Sequence, residues 1–206
     1  MELIEVDKVQ NILSRLDLLR EKLTDTAFLS NQGLSNEVGL YVFAYRPEAE
    51  MPVRYFLRSI SEESADGQCG FRAISFDLYE ILLDICRERR ILERIPQMEA
   101  QRGGAFTLAQ IQRIAPPEAY IERMQYGEHR RGDVVMLSGV GRVFPYMRSH
   151  NILNNLQHVF SDIPVILFYP LFDRQAALFR GGLQKRKGES QVSLRLAVQG
   201  ARQARN

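Results

Sequence analysis

The chain has 206 residues, of which 45% are hydrophobic and 25% are charged, and its formal net charge at pH 7 is +2. This composition is typical of a folded globular protein of one domain, and it excludes a disordered or fibrous chain. Two cysteines without a C-x-x-C spacing and only three histidines indicate neither a disulfide framework nor a zinc site.

The start of the chain, MELIEVDKVQ, lacks the cationic residues and the apolar core of a signal peptide. No apolar run in the sequence approaches the roughly 18 residues that a membrane-spanning helix needs. We therefore expect a cytoplasmic protein that makes no membrane contact and keeps Cys69 and Cys86 reduced.

The first predicted element is an amphipathic helix over residues 6–24. Its apolar residues recur at spacings of three and four, which places them along one stripe of a helix. The stripe consists of Val9, Ile12, Leu16, Leu19 and Leu23. It could pack on the chain's own domain, which we favour, or it could bind a partner protein, although it is short for a coiled coil.

The following residues predict a β-α-β unit. Residues 39–45 are apolar without alternation, as in a strand that is covered on both faces. Pro52 suits the first turn of a helix, and residues 71–76 form the next strand after a glycine turn. The apolar face of that helix consists of Val53, Phe56, Leu57 and Ile60. Because the crossover is helical, the two strands should be parallel.

A helical insertion over about residues 87–126 is predicted to separate the second strand from the third. The D-x-x-E segment at residues 77–80 resembles a capping box, which begins the helix that precedes the insertion. Within the insertion, Pro96 is predicted to break one helix. Thr107 and the pair Pro116-Pro117 are predicted to begin two others.

Residues 133–137 and 164–169 predict the third and fourth strands. Between them, Ser138-Gly139-Val140-Gly141 predicts a tight turn whose glycines supply positive φ angles, followed by an amphipathic helix. We therefore predict an α/β fold with a mostly parallel sheet of four to five strands, flanking helices and a helical insertion. The sheet would resemble that of a nucleotide-binding protein, but the sequence has no Walker A motif.

The C-terminal segment differs in charge from the rest of the chain. Residues 180–206 hold seven arginines and lysines against one glutamate, so the remainder of the chain is mildly acidic. We predict a single α/β domain over residues 1–179 and a basic tail over residues 180–206. The tail could contact DNA by releasing counterions, or remain solvated without a partner. The alternating apolar residues over 192–198 could instead form a last strand.

Two interpretations of the 138–142 loop remain open. Glycines directly after an apolar strand could cradle a phosphate with their backbone N–H groups, as in a nucleotide or phosphate sensor. However, the Walker lysine is absent, and the G-x-G-x-x-F sequence lacks the third glycine of a dinucleotide fingerprint. We favour the second interpretation, in which the glycines only turn the chain, and we predict no cofactor.

The polar residues after this loop have structural as well as functional explanations. Arg142 and Arg148 could bind a phosphate or a carboxylate, or form exposed ion pairs. His150 stands between Ser149 and Asn151, where serine or asparagine would cap a helix. The sequence contains no G-x-S-x-G elbow and no carboxylate-x-lysine nuclease pattern. We therefore predict no catalytic residue and no metal site, and we expect that the protein is not an enzyme.

Three segments together resemble the BrxB-type proteins of bacteriophage-exclusion (BREX) systems. They are FLSNQGLSNEVGLYVFAYRPEAEMPVR (28–54), ISFDLYEILLDICRERRILERI (74–95) and VVMLSGVGRVFPYMRSHNILNNLQHVFSDIPVILFYP (134–170). The likeness covers most of residues 10–179. It implies a component of an anti-phage defence system that works beside a DNA methyltransferase, a large ATPase and a PglZ-like protein of the alkaline-phosphatase superfamily.

The resemblance also implies a set of polar positions without an assigned catalytic role. They are Asn36, Glu37, Arg54, Asp77, Tyr79, Glu80, Arg148, Ser149, His150, Asn154 and Asn155. We predict a non-enzymatic scaffold or adaptor that binds the PglZ-like protein. Its candidate partner or ligand surface comprises Glu37, Arg54, Arg142, Arg148, Ser149, His150, Asn154 and Asn155. The alternatives are the phosphate sensor at the 138–142 loop and a DNA-binding accessory that acts through the tail.

Overall fold

A computed structural model describes residues 2–30, 39–66 and 68–171. It contains a parallel four-stranded sheet in the order β1-β4-β3-β2. The strands are β1 (Leu40–Tyr45), β2 (Arg72–Asp77), β3 (Asp133–Ser138) and β4 (Val165–Pro170). The predicted α/β fold with a parallel sheet and flanking helices is therefore confirmed. The possible fifth strand and the basic tail lie outside the described residues.

Helices precede and connect the strands. They are α1 (Glu2–Leu23), α2 (Thr26–Leu29), α3 (Glu50–Glu63), α4 (Leu78–Glu88), α5 (Ile95–Arg102), α6 (Gly104–Ile114), α7 (Pro117–Met124), α8 (Val140–Val143) and α9 (Ser149–Val159). Short 3-10 turns at Pro47–Ala49 and Leu92–Arg94 lead into α3 and α5. None of the helices described is long and apolar enough to cross a membrane.

Each face of the sheet is covered by its own group of helices. Helices α1, α2 and α3 pack on one face, and α4, α6, α7, α8 and α9 pack on the other. The central strand β3 is buried on both faces, as its continuous apolar sequence predicts. The two faces thus form two hydrophobic cores that share the sheet.

Helix α1 belongs to the core of the domain. Four residues of its apolar stripe are at most 3% exposed: Ile12, Leu16, Leu19 and Leu23. They pack with α3 and with the face of the sheet that α3 covers. The alternative in which Leu16 and Leu19 bind a partner protein is therefore wrong, because these side chains already fill the chain's own interior.

The helical insertion begins and ends close to the predicted residues, but one helix begins earlier. Pro96 was predicted to break a helix, but it lies in the first turn of α5 and so helps to begin one. Pro117 is the first residue of α7, and Pro116 directly precedes that helix, as predicted. Helix α6 begins at Gly104 instead of Thr107. The Thr107 hydroxyl donates a hydrogen bond of 3.1 Å to the carbonyl of Gly103, so this threonine lies inside the first turns and does not cap them.

Side chains cover backbone groups at both outer edges of the sheet. On β1, the Arg15 guanidinium donates a hydrogen bond of 2.6 Å to the carbonyl of Ala44. On β2, the Ser64 hydroxyl accepts one of 2.9 Å from the N–H of Ala73. Because unpaired edge groups invite further strands, these contacts disfavour pairing with another chain at these two positions.

Candidate functional site

The carboxyl ends of the four strands meet at one edge of the sheet, because all strands are parallel. This carboxyl edge is where open α/β sheets usually bind ligands. It is formed by Tyr45, Asp77, Ser138 and Pro170 at the strand ends, together with the loops that follow them. The 138–142 loop lies here, so the structure places it where a phosphate site would be expected.

Asp77 holds several groups of the carboxyl edge together. As the N-cap of α4, its Oδ1 accepts hydrogen bonds from the N–H groups of Tyr79 at 2.9 Å and Glu80 at 3.3 Å. Its Oδ2 forms an ion pair with Arg142. The predicted capping role of Asp77 is confirmed, and the same carboxylate also fixes the loop after β3.

Arg142 contacts three side chains of the carboxyl edge. Besides Asp77, its guanidinium approaches Glu80 Oε1 at 3.5 Å and lies 5.1 Å from the ring centroid of Tyr79. One cation thus faces two carboxylates, and the local charge is negative. A phosphate at this position would have to displace a carboxylate and stay close to it, which is electrostatically unfavourable.

The two glycines of the loop have different roles. Gly139 has a φ of 77°, and a Cβ on it would overlap the Asp77 carboxylate and stand 3.0 Å from the backbone nitrogen of Tyr79. Gly141 lies inside α8, where a Cβ would stand 2.9 Å from Pro170 Cγ. The prediction of positive φ is therefore confirmed for Gly139 and wrong for Gly141, which is small because Pro170 packs against it.

Tyr45 closes the other end of the carboxyl edge. Its hydroxyl donates a hydrogen bond to the Glu50 carboxylate at the start of α3. Burial, and then this hydrogen bond, raise the pKa of Tyr45 far above its ordinary value of 10.0. The phenol therefore stays protonated at neutral pH and serves as a hydrogen-bond donor, which is a structural role.

A second polar cluster lies at the opposite, amino edge of the sheet. Arg72 binds the buried Asp133 carboxylate through two hydrogen bonds, of 2.9 Å and 2.7 Å. The Tyr126 hydroxyl and the N–H of Arg130 donate to the same carboxylate at 3.2 Å and 2.9 Å. The cavity beside this cluster is only about 90 Å³. Because both carboxylate oxygens of Asp133 accept hydrogen bonds from within the protein, we assign this cluster a structural role.

Helix α3 presents an exposed face on the side opposite its buried stripe. Met51 is 70% exposed and Tyr55 is 68% exposed. The Arg58 guanidinium lies 6.0 Å from the Tyr55 ring centroid. Arg54, which precedes Tyr55 in the sequence, is also exposed. We call Met51, Arg54, Tyr55 and Arg58 the α3 outer face. Its two arginines form no ion pair within the described part of the chain.

Comparison with known proteins identifies the family. The chain is 35% identical to a BREX protein BrxB from Bacillus cereus (strain H3081.97) over 165 residues, which cover 79% of this chain and 85% of the relative. The chain belongs to the BrxB family. The family model for BREX protein BrxB matches residues 74–179. A BREX protein BrxB from Escherichia coli O9:H4 (strain HS) is 26% identical over 76% of this chain and 77% of its own length. No solved structure matches the chain significantly.

The BrxB match contains most of the carboxyl edge. Asp77, Tyr79, Glu80 and Arg142, which the structure brings into one cluster, all lie within residues 74–179. The α3 outer face precedes that range. Membership of the BrxB family therefore confirms the sequence resemblance and identifies a BREX protein, while it assigns no chemical role to any of these side chains.

The other described residues of the predicted surface lie on both faces of the sheet. Arg54 lies on α3, whereas Asn155 lies on α9, and these helices cover opposite faces of the sheet. Arg148 is exposed just before α9, and Asn155 donates a hydrogen bond of 2.8 Å to the Asn151 carbonyl within that helix. Glu37 lies outside the described residues, as do the side chains of Ser149, His150 and Asn154.

The predicted cap of α9 is also wrong, and two exposed residues were not predicted from the sequence. The N-cap position of α9 is Arg148 rather than a serine or asparagine, and it makes no side-chain capping bond. Met51 and Tyr55 were not predicted as surface residues, although their spacing of four places them opposite the buried stripe of α3.

Among the described residues, no group of three or more histidines, cysteines and carboxylates could hold a metal.

Proposed function

We propose that this BrxB-family protein is a non-enzymatic scaffold or adaptor subunit of a BREX system and that it binds a PglZ-like protein of the alkaline-phosphatase superfamily through the α3 outer face. The observation that carries the proposal is the exposure of Met51 and Tyr55 beside two arginines that form no ion pair with any residue the structure describes. Tyrosine, methionine and arginine are enriched in protein interfaces, and tyrosine and arginine are frequent among the residues that dominate binding energy.

The α3 outer face is also held rigidly. On its inner side, Val53 and Ile60 are each 1% exposed and pack in the core with α1 and the sheet. A helix that is fixed in this way loses little conformational entropy when a partner binds, which favours affinity. Since Arg54 and Arg58 have no carboxylate partner in the described part of the chain, the surface of the partner protein should be acidic around an apolar contact.

The carboxyl edge supports the non-enzymatic part of the proposal. An active site needs a reactive group with a free position beside it for substrate. Here Asp77 caps a helix and pairs with Arg142, the Tyr45 hydroxyl is bound to Glu50, and Pro170 packs beside Gly141. The groups that could react are thus already bonded to each other. DNA contact through residues 180–206 stays a prediction.

The test is capture of the purified PglZ-like protein from the same BREX system by the immobilised full-length chain. We expect stable capture by the wild type and at least about tenfold weaker binding after Tyr55→Ala combined with Met51→Ser, since truncation of a central aromatic anchor commonly costs 2 kcal/mol or more. The melting temperature should stay unchanged because both side chains are exposed.

Leu18→Ser is the matched control. Leu18 is also a large apolar residue, 58% exposed, but it lies on α1 outside the α3 outer face. This variant should bind like the wild type. A wild-type chain that captures neither the PglZ-like protein nor any other purified subunit of the system would contradict the scaffold function. Capture that survives the α3 double substitution would contradict only the assigned surface.

A further inference from the structure

A groove runs between α5 and α6 in the helical insertion. Gly103, with a φ of 81°, joins the two helices directly, and its N–H donates a hydrogen bond of 2.8 Å to the Glu99 carbonyl. A cavity of about 320 Å³ is lined by residues of both helices. Clefts that hold ligands in proteins begin at about this volume. The groove is thus large enough for a specific ligand.

The floor of the groove is apolar and its walls carry amides. Met98 from α5 and Phe106 from α6 line it and are half-buried. Three glutamines, Gln97, Gln101 and Gln110, line the walls. Each glutamine side chain can both donate and accept hydrogen bonds. A ligand that matches this lining therefore offers an apolar side chain together with both donors and acceptors.

The charges that line the groove are all positive. Arg94 and Arg102 both line it, and no carboxylate does. Neither arginine forms an ion pair with any residue that the structure describes. The Glu99 carboxylate on α5 is directed to the start of α6, where it would lie 3.3 Å from a Cβ on Gly104. The groove therefore attracts negative charge.

An acidic peptide fits these features better than a nucleic acid or a free phosphate does. The Arg102 guanidinium lies 4.8 Å from the centroid of the Phe106 ring and covers one of its faces, so that face is not free to stack on a base. A phosphate ion only accepts hydrogen bonds and would leave the glutamine carbonyls without donors, whereas a peptide backbone supplies both kinds of group.

We propose that the α5–α6 groove binds a short acidic segment of another protein. An apolar side chain of that segment packs on Met98 and Phe106, and flanking carboxylates pair with Arg94 and Arg102. This goes beyond the proposed function, because the insertion and the α3 outer face lie on opposite sides of the sheet. A scaffold with both sites can hold two different proteins at once.

The probe for the test is a random peptide library displayed on phage and selected on the immobilised full-length chain. We expect enriched sequences in which aspartate or glutamate flanks a leucine, phenylalanine or methionine. A fluorescein-labelled consensus peptide should bind, as measured by fluorescence anisotropy. Its affinity should fall at least tenfold in the double variant Arg94→Glu, Arg102→Glu, because both contacts become repulsive.

Arg113→Glu is the matched control, since Arg113 is an exposed arginine on α6 outside the groove. It should bind the peptide like the wild type. A peptide with lysines in place of the acidic residues should bind the double variant better than the wild type. The proposal is overturned if selection yields no enriched sequence, if the double variant binds like the wild type, or if labelled oligothymidylate binds in the groove in place of the peptide.

The outcome is separable from that of the proposed function. The double variant of the groove should still capture the PglZ-like protein, and the double variant of the α3 outer face should still bind the selected peptide. Loss of peptide binding through the α3 substitutions would overturn the assignment of this groove as an independent site.

Discussion

Gly139 lies directly against the carboxylate of Asp77, so closely that a Cβ on the glycine would overlap Asp77 Oδ1. Gly139→Ala should therefore lower the free energy of unfolding by about 2 to 3 kcal/mol, as measured by urea denaturation. A left-handed backbone costs an L-residue roughly 1 to 2 kcal/mol, and displacement of the Asp77 cap adds about 1 kcal/mol.

Gly127→Ala serves as the control for this prediction. Gly127 also has a positive φ, of 55°, but no atom lies within 4 Å of the position that its Cβ would take. The substitution should lower the free energy of unfolding only by the cost of the left-handed backbone conformation, about 1 kcal/mol. Equal losses in the two variants would contradict a role for the contact between Gly139 and Asp77.

Substitution of Leu16 should destabilise the fold without any effect that is specific to binding. Leu16 is 3% exposed, and Leu16→Ala removes buried methyl and methylene groups and leaves a cavity, which costs about 2 to 5 kcal/mol. Leu18→Ala, on the exposed side of the same helix, should cost less than about 0.5 kcal/mol. Thermal unfolding of the two variants measures the difference. Similar melting temperatures would show that α1 does not belong to the core.

The fold could be predicted from the sequence because its signals are local and periodic. The spacing of Leu16 and Leu19 fixes one helical stripe, and the unbroken apolar sequences of β3 and β4 require burial on both faces. Asp77 has the residue type and position that a helix N-cap needs. Each of these features depends on neighbours within a few positions.

The candidate sites could be predicted only in part, because they depend on contacts between residues that are far apart in the sequence. Nothing in the sequence shows that Arg142 meets Asp77 and Glu80, since that contact requires β2 and β3 to be neighbours in the sheet. Likewise, the sequence does not show that Pro170 lies beside Gly141. These two contacts favour a structural turn over a phosphate-binding loop at residues 138–142.

The ion pair between Arg72 and Asp133 should make stability depend on acid pH. Burial alone would raise the pKa of Asp133, but hydrogen bonds from Arg72 and from the Arg130 backbone outweigh it and hold the pKa below the ordinary value of 3.8. The folded state therefore releases the proton more readily than the unfolded state does. The stabilisation is complete above about pH 5 and is lost as the pH falls below about 4.

Asp133→Asn tests this dependence. At pH 7 it should lower the free energy of unfolding by about 3 kcal/mol, because it leaves Arg72 without its buried partner. The gap between wild type and variant in urea denaturation should narrow between pH 5 and pH 3, since the wild type loses the same charge. Asp84→Asn, which breaks an exposed pair with Arg87, should cost less than about 1 kcal/mol at either pH. If the difference in free energy of unfolding between wild type and Asp133→Asn stays constant with pH, the ion pair is not the source of the acid dependence.

Mg-ATP at millimolar concentration should not raise the melting temperature of the protein. A ligand that binds only the folded state must stabilise it, by about 2.7 kcal/mol at a hundredfold excess over its dissociation constant. Arg142, the cation of the 138–142 loop, is held by Asp77 and Glu80, so a polyphosphate there would meet two carboxylates at the same position. Differential scanning fluorimetry with and without the nucleotide measures the shift, and Arg113→Ala is a control for nonspecific binding to an exposed arginine. A rise of several degrees that Arg142→Ala abolishes and Arg113→Ala preserves would show instead that Arg142 leaves its carboxylates and binds the nucleotide. The 138–142 loop would then be a nucleotide sensor and not only a structural turn.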